Sequence, residues 1–276
     1  MWYPFRPRPP LVALVRLEGV IAARAGPFAG LNAAGVNPIL ERAFGLKRLK
    51  AVFLAINSPG GSPVQSSLIA RRIRQLAEEK KVPVIAVAED AAASGGYWIA
   101  CAADEIIADP ASILGSVGVI SAGFGFQEAI GRLGIERRVR TAGTQKSLND
   151  PFRPQAPEDT ARLEELLVQL HVEFKDWVRS RRGAQLKAPE DELFTGRFWI
   201  GRRALELGLC DGLGDAQGEA RRRFGDKVRV VTVGARRRRF PMSLLPGAGA
   251  MVDAGRLAAG ALEAAEERAA WGRLGL

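Results

Sequence analysis

Residues 51–61 read AVFLAINSPGG and residues 84–100 read VIAVAEDAAASGGYWIA. The strands expected here are Ala51 to Ile56, a nearly continuous apolar run that ends abruptly in SPGG, and Val84 to Ala88, with a second glycine turn at Ala93 to Gly96. An unbroken run of Val, Ile, Leu and Ala suits a strand buried on both faces of a parallel sheet, whereas a strand with one wet face alternates. Between them, Gln65 to Lys80 sets Leu68, Ile69, Ile73 and Leu76 against Arg71, Arg72, Arg74 and Glu78, the pattern of an amphipathic helix that stops before Pro83. Strand, helix and strand in this order predict an α/β fold with a parallel sheet.

Upstream, a Pro/Arg-rich start (Pro4, Arg6, Pro7, Arg8, Pro9, Pro10) gives way to a first strand over Leu11 to Ile21, and Pro38 to Phe44 reads as a short helix. Downstream, the spacing predicts a helix over Gly95 to Ala102 and one around Phe126 to Leu133, with strands at Glu105 to Ala108, Val117 to Ile120 and Glu136 to Arg140. A long helix from Pro157 to about Arg182 opens with Pro, Glu and Asp, and carries Leu163, Leu166, Leu167, Leu170, Phe174 and Trp177 as its apolar stripe. A short helix at Arg202 to Leu207 and a last strand at Val228 to Val233 follow. Residues 249 to 271 suit an Ala-rich helix, expected to serve as an oligomer contact or to lie on a membrane surface. The expected division is an N-terminal extension (1–10), one domain (11–234) and a basic, Ala-rich tail (235–276).

The chain has 276 residues, 47% hydrophobic and 25% charged, the composition of a globular protein. At this length about 75% of the unfolded surface can be buried, so neither disulfides nor a structural metal are needed. Cys101 and Cys210 lack any metal-ligand spacing and read as reduced, buried thiols. The net charge of +10 is local: Arg221, Arg222, Arg223, Lys227, Arg229 and the run Arg236 to Arg239 face Asp226 alone. No zinc finger, helix-turn-helix or RNA-binding aromatic pair accompanies that run, so it reads as a solvated face, with no nucleic-acid partner expected. Arg16 and Glu18 interrupt the first apolar stretch, and prolines, glycines, Asp253 and Arg256 break Phe240 to Leu262, so no spanning segment is expected.

The two glycine turns are where chemistry is expected. Glycines let backbone N–H groups point into a cleft, where they can hold the oxyanion of a tetrahedral intermediate. Ser94 stands where a helix begins, as a nucleophile favoured by the helix dipole or as an ordinary N-cap. The sole histidine, His171, falls mid-helix between Leu170 and Val172, which argues against a Ser-His-Asp triad. A lysine is the alternative base, since a desolvated site can keep it neutral. Lys146, in the turn Thr141 to Ser147, is the candidate; the other reading is a solvated surface lysine.

Five segments, in order, resemble the signal peptide peptidase A family, serine peptidases of the S49 type with a ClpP/crotonase fold. They are INSPGG (56–61), ASGGYWIA (93–100), ADPASILGSVGVI (108–120), TQKS (144–147) before DPFRP (150–154), and FTGRFWIGRRALELGLCDGLG (194–214). The resemblance implies an α/β, ClpP/crotonase-like repeated β-β-α spiral with a C-terminal helical extension. It implies a Ser-Lys dyad with Ser94 as nucleophile and Lys146 as general base, and oxyanion amides from Gly61 and Gly95. Ser116 and Ser147 are candidate hydrogen-bond partners of Lys146, and no cofactor or metal is implied. The expected substrates are hydrophobic peptides such as cleaved signal peptides, with Ala91, Ala92 and Ala93 compatible with an apolar pocket. Family members also imply a homo-oligomer in which the dyad can be shared between subunits. Many carry an N-terminal membrane anchor. This sequence reaches its first strand within about ten residues, so the expectation is a cytoplasmic protein with at most peripheral contact at the inner membrane face. Two other readings stand beside this one: a crotonase-type acyl-CoA enzyme working through Glu89 and Asp90, and a non-catalytic scaffold.

Overall fold

The computed structural model describes residues 9–23, 30–143, 146–234, 265 and 267–276. The first strand β1 (Leu11–Glu18) is followed by α1 (Ala33–Phe44), β2 (Leu49–Ser58), α2 (Pro63–Lys80) and β3 (Val84–Ala93). All three strands pair in parallel, with Leu14 beside Phe53 and Phe53 beside Ile85. Ser62 caps α2 by accepting from the Gln65 amide, Pro63 occupies the first turn, and Lys81 closes the helix in a left-handed conformation. The side of α2 that faces the sheet buries Ile69, Ile73, Leu76 and Ala77. Leu68, expected on that side, is 41% exposed because it lies at its edge.

Strand β3 changes partner along its length. Ile85 to Ala88 pair with β4 (Glu105–Ala108), whereas Ala91 to Ala93 pair with β5 (Ile113–Gly115), both in parallel. The short helix α3 (Gly95–Ala100) leaves from the top of β3. The later elements are α4 (Gln127–Arg132), α5 (Pro157–Arg182), α6 (Glu190–Leu193), β6 (Phe198–Ile200), α7 (Gly201–Glu206), β7 (Gly212–Leu213), α8 (Ala216–Phe224) and β8 (Arg229–Thr232). Strand β6 runs antiparallel to β5, while β7 joins β4 and β8 joins β1, both in parallel. The main path is β6-β5-β3-β2-β1-β8. This is the ClpP/crotonase-like α/β spiral.

One face of the sheet packs against α1, α2, α3 and α5 through residues such as Leu17, Ile56, Ile73, Tyr97, Phe174 and Val178. The other face (Val12, Leu14, Phe53, Ile85, Val87, Ile107) is covered by Ala220 and Phe224 of α8. That face continues through Ala91 and Ala93, against which Leu274 and Trp271 pack.

The described elements correct several expectations. Helix α1 begins five residues before Pro38, because Asn32 accepts from the Gly35 amide and Pro38 is accommodated inside the helix. Strand β1 ends at Glu18, and Ile21 makes only isolated bridges to Leu31 and Gly61. The strand expected at Val117 to Ile120 lies instead at Ile113 to Gly115, where the positive φ of Gly115 and Ser116 ends it. Glu136 to Arg140 form no strand, and their side chains are largely exposed. Arg221, Arg222 and Arg223, read as a solvated run, belong to α8: Arg223 bridges Glu105 on β4, and both Arg222 and Arg223 donate to Glu219. The expected tail helix is described only at 265 and 267–272; its apolar residue Trp271, with Leu274 beyond, packs on this chain's own sheet. The run Arg236 to Arg239, all of residues 249 to 264 and the N-terminal Pro/Arg segment up to Arg8 lie outside the described residues.

Two measurable consequences follow from these packings. The Arg222 hydrogen bonds, followed by those of Arg223, hold the Glu219 carboxyl below the usual carboxylate range. A depressed pKa adds stability above the unfolded value, about 4.3, that is lost as pH falls through the folded value. Glu219→Gln is therefore expected to be less stable than the parent by roughly 1–2 kcal/mol at neutral pH, with the gap closing as the pH is lowered below about 4.3 in denaturant titrations. Burial pushes the Cys101 thiol up to about 12 and the Cys210 thiol up to about 11. Neither is expected to react with an aromatic disulfide reagent at about pH 8 until the chain is unfolded, when both should.

Candidate active site

The site is built where β2 and β3 end. After Ser58 the chain turns through Gly60 (φ +104°) and Gly61 (φ +139°), conformations that side-chain-bearing residues rarely adopt. Space imposes the same requirement. A β-carbon on Gly60 would stand 2.7 Å from the Ser94 β-carbon and 2.8 Å from the Gly95 nitrogen, and one on Gly61 would stand 2.1 Å from the Ile21 carbonyl oxygen. The Ile21 amide donates to the Gly60 carbonyl (2.8 Å) and the Ser62 amide to the Ile21 carbonyl (2.8 Å). The Gly61 amide between them has no hydrogen-bond partner among the described residues.

Ser94 sits at the junction of β3 and α3 with φ +51° and ψ −119°. For a residue with a β-carbon this costs about 1–3 kcal/mol, a strain held in place by the surrounding packing. Its amide donates to the Gly115 carbonyl of β5 (2.8 Å). Its hydroxyl makes no capping hydrogen bond to the helix it precedes. The N-cap alternative is thereby set aside, and Oγ is left free on a half-buried residue. Helix α3 has only six residues, so it contributes first-turn amides rather than a long dipole. The Gly95 amide, like that of Gly61, has no partner among the described residues, and the Gly61 nitrogen lies 3.4 Å from where a Gly95 β-carbon would be. Two free amides thus flank the serine, as an oxyanion requires.

Helix α5 supports this turn from behind. Phe174 stacks on Trp98 with ring centroids 4.7 Å apart, Trp177 Nε1 donates to the Trp98 carbonyl (2.9 Å), and Arg181 donates to the carbonyls of Cys101 and Ala103. Tyr97, fully buried, donates its hydroxyl to the Leu209 carbonyl (2.9 Å).

Lys146 lies elsewhere in the chain, in a mostly exposed segment between Gly118 and α5, whose own first buried residue is Phe174. Lys146 is exposed and makes no hydrogen bond or ion pair among the described residues, and none joins it to Ser94 within the single chain. Ser147, half-buried, lines a cavity of about 720 Å³ together with Phe124, Phe126, Asp150, Asp159 and Leu163. The segment has internal order: the Phe126 amide donates to the Pro151 carbonyl (2.6 Å), Arg137 pairs with Asp150 (3.3 Å), and the Phe126 and Phe152 rings lie 5.7 Å apart. Ser116, half-buried with φ +54°, makes no side-chain hydrogen bond to Lys146, and neither does Ser147.

The other residues of interest fall as follows. Ala91, Ala92 and Ala93 are fully buried, two of them under Leu274 and Trp271, so they do not line an open pocket. Glu89 is paired with Arg16 (2.7 Å), and Asp90 accepts from Asn57 (2.6 Å), which occupies the two carboxylates that an acyl-CoA reading needs. His171 is on α5, with Nε2 3.0 Å from the Val117 carbonyl oxygen. Among the described residues, no cluster of three or more His, Cys, Asp or Glu could hold a metal ion. Sequence reasoning missed Ser66: its hydroxyl stands 2.4 Å from where a Gly95 β-carbon would be and donates to the Ser62 carbonyl (2.9 Å). Its position four residues after the cap was the available signal.

A free serine hydroxyl on a strained strand-to-helix turn, beside two unpartnered amides, defines a serine hydrolase of the parallel-sheet type. The family model described as Peptidase family S49 matches residues 76–229. The chain belongs to peptidase family S49, a family of serine-type peptidases. It is 33% identical over 208 residues to the chloroplastic serine protease SPPA of Arabidopsis thaliana, covering 74% of this chain and 30% of that protein. It is 47% identical over 273 residues to a Brucella abortus (strain 2308) protein named Na(+)/H(+) antiporter NhaA, covering 96% of this chain and 37% of that protein. The chain thus spans 37% of the Brucella protein's length and 30% of the Arabidopsis protein's. Among solved structures, a lysine-to-alanine mutant of the 1510-N membrane-bound stomatin-specific protease, in complex with a substrate peptide, shares the fold. Its TM-score is 0.52 at 16% identity, with 82% of this chain and 93% of that chain covered. No described helix is long and apolar enough to cross a membrane.

Proposed function

We propose that this chain is a serine endopeptidase that hydrolyses hydrophobic peptides, cleaved signal peptides among them, with a Ser94-Lys146 dyad. The observation that carries the reading is the Ser94 turn: a strained backbone, an uncapped hydroxyl, and the free amides of Gly61 and Gly95 on either side. In the cycle, Lys146 Nζ takes the Ser94 proton as Oγ attacks the peptide carbonyl, and the two amides hold the oxyanion. Collapse of the intermediate releases the amine, which carries away the proton held on Lys146, and leaves an acyl-serine. Lys146 then takes a proton from water as the water attacks the ester, and returns it to Ser94 Oγ as the acid leaves.

The catalytic domain on this reading spans residues 11–234, and the working unit is a homo-oligomer in which one chain's Lys146 serves another chain's Ser94. Support comes from the Lys146 segment, which exposes Ile120 (67%), Phe124 (81%) and Leu133 (74%) to solvent; a second copy would cover an apolar surface of that kind. The protein would act in the cytoplasm with peripheral contact at the inner membrane face, where hydrophobic peptides are released. The acyl-CoA reading is disfavoured by the pairing of Glu89 and Asp90.

A fluorophosphonate probe followed by peptide mass mapping tests the nucleophile: label is expected on Ser94, and cleavage of hydrophobic peptides with label absent from Ser94 would overturn the reading. Mixing Ser94→Ala with Lys146→Ala tests the sharing. Each is expected to be inactive alone and the mixture active after subunit exchange, while a mixture that stays silent places both groups in one chain.

A further inference from the structure

We propose that His171 is a positioning residue that fixes the base of the Lys146 segment through its hydrogen bond to Val117. The inference rests on the Ser94-Lys146 reading and concerns how that lysine is aimed.

The chain from Gly115 to Gly118 does two things at once. Its first residue accepts the Ser94 amide, and its last is where the Lys146 segment leaves the body. The segment itself is self-contained: α4 has no buried residue, and Phe126, Arg137, Asp150, Pro151 and Phe152 bond or pack with one another. An internally ordered segment attached at its two ends is oriented by what holds those ends.

At the outgoing end, Val117 is fully buried, and its carbonyl accepts from the Gly196 amide (3.1 Å) and from His171 Nε2 (3.0 Å). Ser116 donates its amide to the Arg197 carbonyl (2.8 Å), and a β-carbon on Gly118 would stand 2.8 Å from the Gly196 α-carbon. Among the described residues, His171 is the one side chain that bonds to this tetrapeptide. The returning end is α5 itself, on which His171 resides. The bond therefore ties the outgoing chain just beyond β5 to the incoming helix and closes the neck of the excursion.

A carbonyl oxygen can only accept, so Nε2 carries the hydrogen. That requirement is met by the neutral Nε2–H tautomer and by the imidazolium alike, so the latch needs a donor rather than a charge. Phe174 and Trp177, further along α5, grip Trp98 of α3. The same helix thus references the serine side and the lysine side of the reaction to one rigid body. Displacing a catalytic group by about 1 Å can cost as much as 100-fold in rate.

The test compares three variants with the parent protein on one hydrophobic fluorogenic peptide. His171→Leu removes the donor. His171→Asn keeps a donor on a side chain too short to reach and guards against a folding failure of the leucine variant. His171→Gln places an amide nitrogen the same number of bonds from Cβ as the histidine Nε2. Expected are a fall in kcat of about 10- to 100-fold for Leu and Asn with KM within about twofold, and recovery by Gln to within about threefold of the parent. Amide hydrogen exchange over residues 117–121 is expected to quicken in Leu and Asn and to stay at the parent rate in Gln. Parent-like kcat in all three, an equal loss in all three, or unchanged exchange in Leu and Asn would overturn the proposal. Lys146→Ala is run beside them: if it kept full activity, the dyad reading would fall, while the exchange data would still judge the latch.

Discussion

Ser94→Ala is expected to lower kcat/KM by about 10⁴-fold or more, Lys146→Ala by a comparable factor, and the double variant by no more than either single one. On the proposed dyad reading the two groups act as a unit. A serine without its base is a weak nucleophile, and a base without a nucleophile has nothing to activate. What survives is the contribution of the Gly61 and Gly95 amides and of peptide binding, which neither substitution touches. The parent rate is also expected to fall as pH is lowered, since an ammonium cannot accept the serine proton; a flat profile between about pH 6 and 9 would exclude this base. Kinetics on purified variants at matched assembly check all three statements. Additive losses in the double variant would mean that Ser94 and Lys146 serve separate steps.

The second large effect concerns stability. Arg182, 2% exposed, donates Nη1 to Asp211 (2.7 Å) and Nη2 to the Gly208 carbonyl (2.8 Å), and Asp211 also accepts the Ile106 amide (2.7 Å). These bonds fasten the end of α5 to the β4–β7 corner. Arg182→Met would leave the partly exposed Asp211 carboxylate and the Gly208 carbonyl without their donor, at a cost of about 3 kcal/mol. For a domain of this size that lowers the midpoint of thermal unfolding by roughly 6–12 °C. Adding Asp211→Asn removes the stranded charge while keeping an acceptor for Ile106, so the double variant is expected to regain part of the loss. A single variant within about 1 kcal/mol of the parent would show that solvent reaches Asp211 easily enough to replace the arginine.

The parts of the fold written in local periodicity were legible in the sequence. Helix α5 runs over the residues its Pro-Glu-Asp start and Arg-rich end mark out, and β2 and β3 contain their apolar runs, although β3 continues past Ala88 through Glu89 and Asp90 to Ala93. Errors came where a pattern lacked a partner or a backbone special overruled it. Val117 to Ile120 looks like a strand, but the positive φ of Gly115 and Ser116 turns the chain first. The strand expected at Glu136 to Arg140 has Val139 as its sole apolar residue, and no strand among the described residues pairs with it. The start of α8 was hidden by the arginines around it, although Asp215 capping Gln217 and Gly218 was a readable signal. At the site, the glycine turns pointed to Gly61, Ser94 and Gly95. The strained φ of Ser94 could not be read, because it is imposed by β5 and by Gly60, which are distant in sequence. The exposure of Lys146 was likewise illegible, since it depends on how a segment of nearly forty residues leaves the sheet.

Strand β1 has one neighbour close to it in sequence and one far from it. It pairs with β2 on one side and, through Leu11 beside Arg229, with β8 on the other. A ribosome completes the first of these contacts early and the second only when residues 229–232 have emerged. Until then one side of β1 is an open row of amides and carbonyls, the kind of edge that recruits strands from other nascent chains. The sheet therefore closes after nearly the whole domain has been synthesised, and its folding is slow for its size because the pairing spans so much sequence. A message cut short before Arg229 would yield an aggregating fragment, even though every residue of the Ser94 turn and Lys146 would already have been translated.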